Sequence, residues 1–265
     1  MNTLILLRGG GDLASGVALR LNHAGFQVVI TELPRPLAVR RLVSFSEAVY
    51  DGQITVEDVT ARLVTEDQLQ AAFEADEIPV LVDPNADILN PLAFYAVVDA
   101  RLIKSPPQPL PTSVPLHIGL GPGFHAGRDC HAVIETCRGH TLGRVYWTGT
   151  TSPDSGRPDG DPRRVLRTPS NGILILHVKV GEHVEEGELI AEIKSKEAYT
   201  QIHSPFTGIL RGLLRDGMDV TCGLKLGDVD MRDDPSLCRL VSDKALAVGG
   251  GVLEALLTVR PFQKI

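Results

Sequence analysis

The sequence lacks the features that mark membrane-embedded and secreted proteins. No apolar run approaches the ~20 residues needed to span a bilayer. The first eight residues run straight into Gly9-Gly10-Gly11, without the basic and apolar regions of a secretory signal peptide. We therefore expect a cytoplasmic protein with no membrane partner. We expect free thiols at the four cysteines, which show no CxxC spacing: Cys130, Cys137, Cys222 and Cys238.

The chain also lacks an excess of basic residues. It has 26 Lys and Arg against 33 Asp and Glu, which gives a formal net charge of −7. This balance argues against binding nucleic acid through a basic surface. A hydrophobic content of 43% and a charged content of 22% are typical of a globular protein, and 265 residues suffice for roughly two compact units.

The first thirty residues have the pattern of a strand, a helix and a second strand. Thr3–Leu7 is a short apolar run that ends at three glycines, as a buried strand does. Residues 12–25 carry apolar side chains at helical spacing, with Gly25 at the expected end of the helix. Phe26–Thr31 is the second strand. The glycines therefore lie at a strand-to-helix turn, where unpaired helix N–H groups can hold a phosphate.

This turn resembles the GxGxxG dinucleotide fingerprint, with Ala14 in place of the third glycine. Glu32 follows about twenty residues later, where an acid commonly binds ribose hydroxyls. Two observations favour a plain turn without a ligand: such turns need glycine anyway, and Asp12 can cap the helix and would repel a pyrophosphate. The candidate cofactor-binding residues are Gly9, Gly10, Gly11, Asp12, Gly16 and Glu32.

The rest of the first half predicts an open, mostly parallel α/β sheet. The apolar spacing of residues 56–77 predicts a helix, and Ile78–Val82 and Tyr95–Ala100 predict strands. Asp83 and Asp99 fall at the ends of these strands, as turn caps or as ligand-site residues. The chain just beyond the second strand carries three arginines, Arg35, Arg40 and Arg41. These side chains are either solvated on a loop or select a phosphorylated ribose.

Histidines and cysteines concentrate just beyond a proline-rich linker at 105–111. They accompany a second glycine-rich turn at 119–123. None of these side chains has the spacing of a zinc finger or a zincin, so we expect no metal site. The residues concerned are His117, His125, Cys130, His131, Cys137 and His140.

The second half contains an internal repeat with an offset of 36 residues, between Thr168–Ile193 and Ser204–Val229. Seven positions of the first copy recur in the second. In order, the first copy has Pro169, Gly172, Ile173, Leu174, Gly181, Val184 and Gly187, and the second has Pro205, Gly208, Ile209, Leu210, Gly217, Val220 and Gly223. Each copy is too short to bury its own apolar face, so the two copies are expected to close on each other.

This repeat resembles the biotinyl/lipoyl domain, a flattened barrel-sandwich of two four-stranded sheets, over residues 165–229. In that family a modified lysine lies at the hairpin between the copies. The resemblance puts that position at Glu197, with Lys196 one residue away. We therefore expect no covalent biotin or lipoate, and a scaffolding or partner-contact role for this domain.

Several long segments resemble the YqeB-like family of accessory proteins of selenium-dependent molybdenum hydroxylases, over nearly the whole chain. The segments are Arg8–Gly16, Arg40–Val43, Pro79–Pro84, Gly119–Gly127, Val133–Thr136, Arg138–Val145 and Gly249–Ala255. The expected fold class is α/β: a Rossmann-like open sheet domain at 1–164, an all-β biotinyl/lipoyl-like barrel-sandwich domain at 165–229, and a segment at 230–265 that packs back on the α/β domain.

The resemblance implies a role in maturation of these hydroxylases, and it implies no catalytic residues. The leading hypothesis is an accessory protein that binds a nucleotide or molybdopterin dinucleotide through the glycine turn and Glu32. It would assist cofactor insertion or selenium loading, with the molybdenum hydroxylase apoenzyme or other maturation proteins as partners. The alternatives are a scaffold without nucleotide and an NAD(P)-dependent oxidoreductase. The sequence lacks the Tyr-x-x-x-Lys pair that such an oxidoreductase would need, because no lysine follows four residues after any of its tyrosines, Tyr50, Tyr95, Tyr146 and Tyr199.

Overall fold

A computed structural model describes residues 4–154, 156, 160–196 and 198–259. The chain divides into two compact units. Unit 1 comprises Met1–Pro36, Ser44–Ser155 and Val241–Ile265, and unit 2 comprises Leu37–Val43 and Gly156–Leu240. In the part of the chain that the structure describes, no helix is both long and apolar enough to cross a membrane.

Unit 1 is built on one nine-stranded sheet. Its strands are β1 Leu4–Arg8, β2 Gln27–Glu32, β3 Gln53–Val56, β4 Val59–Leu63, β5 Ile78–Val82, β6 Ala96–Asp99, β7 Leu116–Leu120, β8 Ala132–Ile134 and β9 Val145–Tyr146. They follow the order β3-β4-β5-β2-β1-β6-β7-β8-β9. Neighbours from β4 to β8 run parallel, and β3 and β9 pair antiparallel at the two edges. The predicted α/β sheet with mostly parallel strands is confirmed, and the sheet is large.

The helices of unit 1 are α1 Asp12–His23, α2 Ala48–Asp51, α3 Leu69–Glu74 and α4 Asp243–Val259. The predicted succession of first strand, glycine turn, helix and second strand is present as β1, α1 and β2. Buried strand residues such as Ile5, Leu6 and Leu7 are fully enclosed because helices or loops cover both faces of the sheet.

The predicted helix over 56–77 is wrong. β3 ends at Val56, strand β4 occupies the first half of this range, and α3 begins only at Leu69. Glu57 adopts φ 55° at the turn between the two strands, a conformation that ends any helix. The β-branched residues Thr55, Val56, Val59 and Thr60 favour an extended chain, and pairing of β4 with β5 outweighs the apolar spacing.

Unit 2 contains two four-stranded sheets, in the orders β10-β17-β15-β12 and β14-β13-β11-β16. Their strands are β10 Val165–Arg167, β11 Gly172–Leu176, β12 His183–Val184, β13 Leu189–Lys194, β14 Tyr199–His203, β15 Gly208–Leu213, β16 Asp219–Val220 and β17 Lys225–Asp230. Equivalent positions of the repeat are buried in one core, which confirms the expected closure of the two copies: Leu174 with Leu210, Val184 with Val220, and Ile193 with Val229.

Residues 37–43 belong to unit 2 through backbone pairing with β15. The carbonyl of Val39 accepts a hydrogen bond from Leu213 N at 2.8 Å, and Arg41 Nε donates to Leu213 O at 2.8 Å. Arg40 Nη2 donates to the carbonyls of Leu237 and Leu240 at 3.0 and 2.9 Å. Both arginines therefore bind backbone carbonyls of unit 2, which gives them a structural role in place of the suggested selection of a phosphorylated ribose.

Candidate functional site

The candidate site lies at the carboxyl edge of the unit 1 sheet, where β1 turns into α1. Gly9 has φ 94°, a left-handed conformation that favours glycine, and its N–H donates to Thr31 O at 2.8 Å. α1 begins at Asp12, and the residue at its N-cap, Gly11, supplies no side-chain hydrogen bond. The N-cap position of α1 therefore supplies no side-chain oxygen to the first N–H groups of the helix.

Glu32 lies directly against this turn, at the end of β2 as the sequence predicts. Its Oε2 accepts a hydrogen bond from Gly10 N at 2.7 Å, and its Oε1 accepts one from Leu33 N at 2.8 Å. Each carboxylate oxygen can accept a second hydrogen bond. The carboxylate is thus held in place beside the turn and retains acceptor sites for a hydroxyl group.

The absence of a side chain at Gly10 has a packing reason. A Cβ built there would lie 2.8 Å from Ser46 N, and that N–H donates to Gly10 O at 2.8 Å. Ser15 Oγ also donates to Gly10 O, at 3.2 Å, and accepts from Phe45 N at 2.9 Å. A segment around residues 44–46 therefore covers Gly10 whether or not a ligand binds.

Gly11 and Gly16 have opposite surroundings. A Cβ at Gly11 would meet nothing within 4 Å, whereas one at Gly16 would lie 2.6 Å from Ala245 Cβ on α4. A Cβ at Gly249 would likewise lie 2.7 Å from Gly16 O. The structure thus brings together Gly9, Gly10, Gly11, Asp12 and Glu32, while Gly16 faces α4 and allows close packing of the two helices.

A buried ion cluster, which the sequence analysis missed as a group, lies at the neighbouring strand ends. Asp99, fully buried at the end of β6, accepts from Arg101 Nε at 2.8 Å and from Arg101 Nη2 at 2.6 Å. Arg8, at the end of β1, donates to Asp99 Oδ2 at 3.4 Å and to Pro84 O at 3.3 Å. Burial lowers the pKa of the Arg8 guanidinium, an effect that Asp99 opposes. In the sequence, these residues are visible only as charged side chains at the ends of strands. The pairing of β1 with β6 brings Arg8 and Asp99 together, although they lie 91 positions apart in the chain.

Asp83 serves as a turn cap, one of its two predicted roles. Its carboxylate accepts from Asp87 N at 2.9 Å and from Ile88 N at 3.0 Å. Both N–H groups belong to the turn that follows β5, where such a side chain commonly satisfies backbone donors.

His117, on β7, is buried, and its Nε2 is enclosed without a hydrogen-bond partner among the described residues. Burial lowers its pKa to about 4, so the ring is neutral at physiological pH. Burial also raises the pKa of the Cys130 thiol to about 11, which makes this thiol a poor nucleophile. No group of three or more His, Cys, Asp or Glu side chains in the described ranges could hold a metal ion.

Residues 165–229 match the family described as "Biotin-requiring enzyme". Unit 2 therefore contains a biotin/lipoyl domain. Its β13–β14 hairpin is closed by a hydrogen bond from Ser195 N to Ala198 O at 2.9 Å, and Lys196 is exposed there. Glu197, the position that the resemblance equates with the modified lysine, lies outside the described residues.

The whole chain is similar to "Uncharacterized protein YqeB" of Escherichia coli, with 48% identity over 259 residues. The match covers 96% of this chain and 47% of that protein, so the chain spans about half the length of the relative it matches. This similarity supports the YqeB-like resemblance and carries no activity with it.

Among solved structures, similar chains include a succinylglutamate desuccinylase/aspartoacylase from Rhodobacter sphaeroides. It is 19% identical, with a TM-score of 0.25 and coverage of 31% of this chain and 29% of that one. An aspartoacylase family protein from Mesorhizobium loti is 14% identical, with a TM-score of 0.28 and coverage of 85% and 83%. With TM-scores this low, neither likeness bears on the function of this chain.

Proposed function

We propose that unit 1 binds a nucleotide at the carboxyl edge between β1 and β6. The strand order β5-β2-β1-β6-β7-β8 supports a Rossmann-like assignment, because it matches the 3-2-1-4-5-6 order of dinucleotide-binding folds. In such sheets ligands bind where the strand order reverses, outside the carboxyl ends of the strands. Here the reversal falls between β1 and β6, next to the glycine turn.

The observation that carries the proposal is the joint position of Glu32 and the start of α1. The Glu32 carboxylate is anchored 2.7 Å from Gly10 N, and Gly11 borders open space where α1 begins without a side-chain cap. A pyrophosphate would accept hydrogen bonds from the first turn of α1, and a ribose hydroxyl would donate to Glu32. Asp12, in that first turn, opposes the phosphate charge and would limit affinity.

Exposed apolar side chains beside Glu32 offer a surface for a nucleobase. Leu33 is 49% exposed and Val82 is 44% exposed, and Val82 is the register partner of Glu32 on the adjacent strand. Large apolar side chains at a strand-end cleft suit the flat face of a base. A ligand would therefore extend from the base at β2 and β5 to its phosphates at α1.

We further propose that the ligand is a molybdopterin dinucleotide or NAD(P), and that the chain is an accessory protein in the maturation of selenium-dependent molybdenum hydroxylases. A dinucleotide form of the molybdenum cofactor carries the pyrophosphate that this site suits. The biotin/lipoyl domain of unit 2 would contact the hydroxylase apoenzyme or another maturation protein. This role rests on the YqeB-like resemblance.

Calorimetric titration with NAD, NADP, CTP and a molybdopterin dinucleotide tests the binding site. Gly11→Val places a side chain in open space, so it should block the ligand and leave the fold unchanged. Gly250→Val is the matched control, because Gly250 also borders open space but lies on α4. We expect binding to wild type and the control, and a loss of at least tenfold in Gly11→Val.

Absence of binding to wild type would overturn the nucleotide proposal and favour a scaffold. Equal affinity in Gly11→Val would overturn this position of the site. For the maturation role, we expect a hydroxylase expressed with the Gly11→Val protein to contain less cofactor than one expressed with wild type. An unchanged cofactor content, measured after denaturation, would contradict that role.

A further inference from the structure

We infer that Arg101 is an anion-binding residue that takes a phosphate group of the ligand at the β1–β6 edge. The class of ligand rests on the proposed function, whereas the anion site rests on the ion cluster itself.

The cluster carries two guanidinium groups against one buried carboxylate. The side chains of Arg8 and Asp99 are 7% and 1% exposed, and both arginines bind the same Asp99 oxygen, Oδ2. Guanidinium groups keep their charge in proteins, so Asp99 by itself does not balance both arginines. The charge of Asp83 also acts on Arg8, so the cluster as a whole pairs two arginines with two carboxylates.

Arg101 is held in a fixed orientation with donors to spare. Asp99 takes its Nε–H and one Nη2 hydrogen in a bidentate pair, and the side chain is 34% exposed. An arginine has five N–H donors, so three remain, two of them on Nη1. A guanidinium fixed in this way matches the geometry of a phosphate, and it loses little conformational entropy when a ligand binds.

The backbone places Arg101 beside the glycine turn. A Cβ at Gly9 would lie 3.6 Å from Arg101 N, so the two loops touch at the same sheet edge. Leu102, the next residue, has φ 55°, a costly conformation for a large side chain that fixes the path of the chain after Arg101. Arg101 therefore lies on the β6 side of the turn, and Glu32 lies on the β2 side.

The test titrates pyrophosphate, adenosine and the nucleotides above into wild type, Arg101→Gln and Arg101→Lys. Arg62→Gln is the matched control, because Arg62 pairs with Glu77 in unit 1 and its side chain is 32% exposed. We expect Arg101→Gln to lose about tenfold to hundredfold in affinity for pyrophosphate and nucleotides, and none for adenosine. Arg101→Lys should recover part of this loss, and it also serves as the second variant if Arg101→Gln fails to fold.

The two proposals fail in different ways. Pyrophosphate binding that depends on Arg101, without any nucleotide binding, would overturn the nucleotide function and uphold the anion site. Nucleotide binding that is lost in Gly11→Val but equal in Arg101→Gln, Arg101→Lys and wild type would overturn the anion site alone. A wild-type protein that binds neither pyrophosphate nor nucleotide would overturn both.

Discussion

Replacing Gly16 by alanine should destabilise unit 1, although the same change usually stabilises a helix. A Cβ at Gly16 would lie 2.6 Å from Ala245 Cβ, 2.7 Å from Ala245 C and 2.8 Å from Ala245 O. Carbon atoms in contact normally lie about 3.5–4.0 Å apart, so α1 and α4 would have to separate by about 1 Å. Two of these three atoms belong to the backbone of α4, which cannot rotate away as a side chain would.

The size of the effect follows from two opposing contributions. Alanine favours a helix interior over glycine by about 1 kcal/mol. Overpacking of a tight contact costs about 1–3 kcal/mol, and a clash with backbone belongs near the upper end. We therefore expect Gly16→Ala to lower the free energy of unfolding by about 1–2 kcal/mol. Gly250→Ala, on an open face of α4, should raise it by about 1 kcal/mol.

Urea unfolding followed by fluorescence measures this difference, because Trp147 is the one tryptophan of the chain and lies in unit 1. The two variants should also differ in Tm, by about 2–4 °C per kcal/mol. Equal stabilisation by both substitutions would refute the packing argument. A Gly16→Ala protein of normal stability that no longer binds nucleotide would instead show that Gly16 belongs to the ligand site, as the sequence analysis proposed.

Three other predictions concern the remaining parts of the molecule. The free energy of unfolding of wild type should fall by about 3 kcal/mol as the pH drops from 6.5 to 4. The reason is that burial lowers the pKa of His117 to about 4, so the unfolded chain binds the proton first. A His117→Gln protein, compared with wild type by urea unfolding at each pH, should lack this dependence, and identical pH profiles of the two proteins would contradict the prediction. Asp99→Asn should lower the free energy of unfolding by about 3–5 kcal/mol, because it leaves Arg8 buried without its counter-charge. A thermal or urea melt measures this, and a change below about 1 kcal/mol would show that the pair contributes little to stability. Incubation with biotin ligase or lipoate ligase should add no mass to the intact protein, since Glu197 occupies the position of the modified lysine; a mass gain abolished by Lys196→Arg would disprove this.

Local patterns in the sequence were sufficient where the structure depends on neighbours in the chain. The apolar run before Gly9, the helical spacing after Asp12 and the acid at Glu32 predicted the β1–α1–β2 unit and the position of the glycine turn. The 36-residue offset predicted which positions of unit 2 share a core, because both copies must bury the same face. The match of residues 165–229 to a biotin/lipoyl domain agrees with that repeat.

Local patterns misled where a tertiary partner decided the outcome. The spacing of apolar residues over 56–77 is compatible with a helix, but the first part of the range holds strand β4, which pairs with β3 and β5. Arg40 and Arg41 follow β2 in sequence, yet backbone carbonyls of unit 2 bind both of them. Neither partner is visible in the residues nearby.

The sequence by itself determined the glycine turn, its acid and the repeat, because these depend on spacing and on backbone conformations that only a few residue types accept. The tertiary structure decided what each glycine is for: Gly10 packs against Ser46, Gly16 against Ala245, and Gly11 borders open space. It also joined Arg8 to Asp99 across 91 positions of the chain. The physical reason is that close contacts and ion pairs depend on distances in space, which strand order and helix packing set.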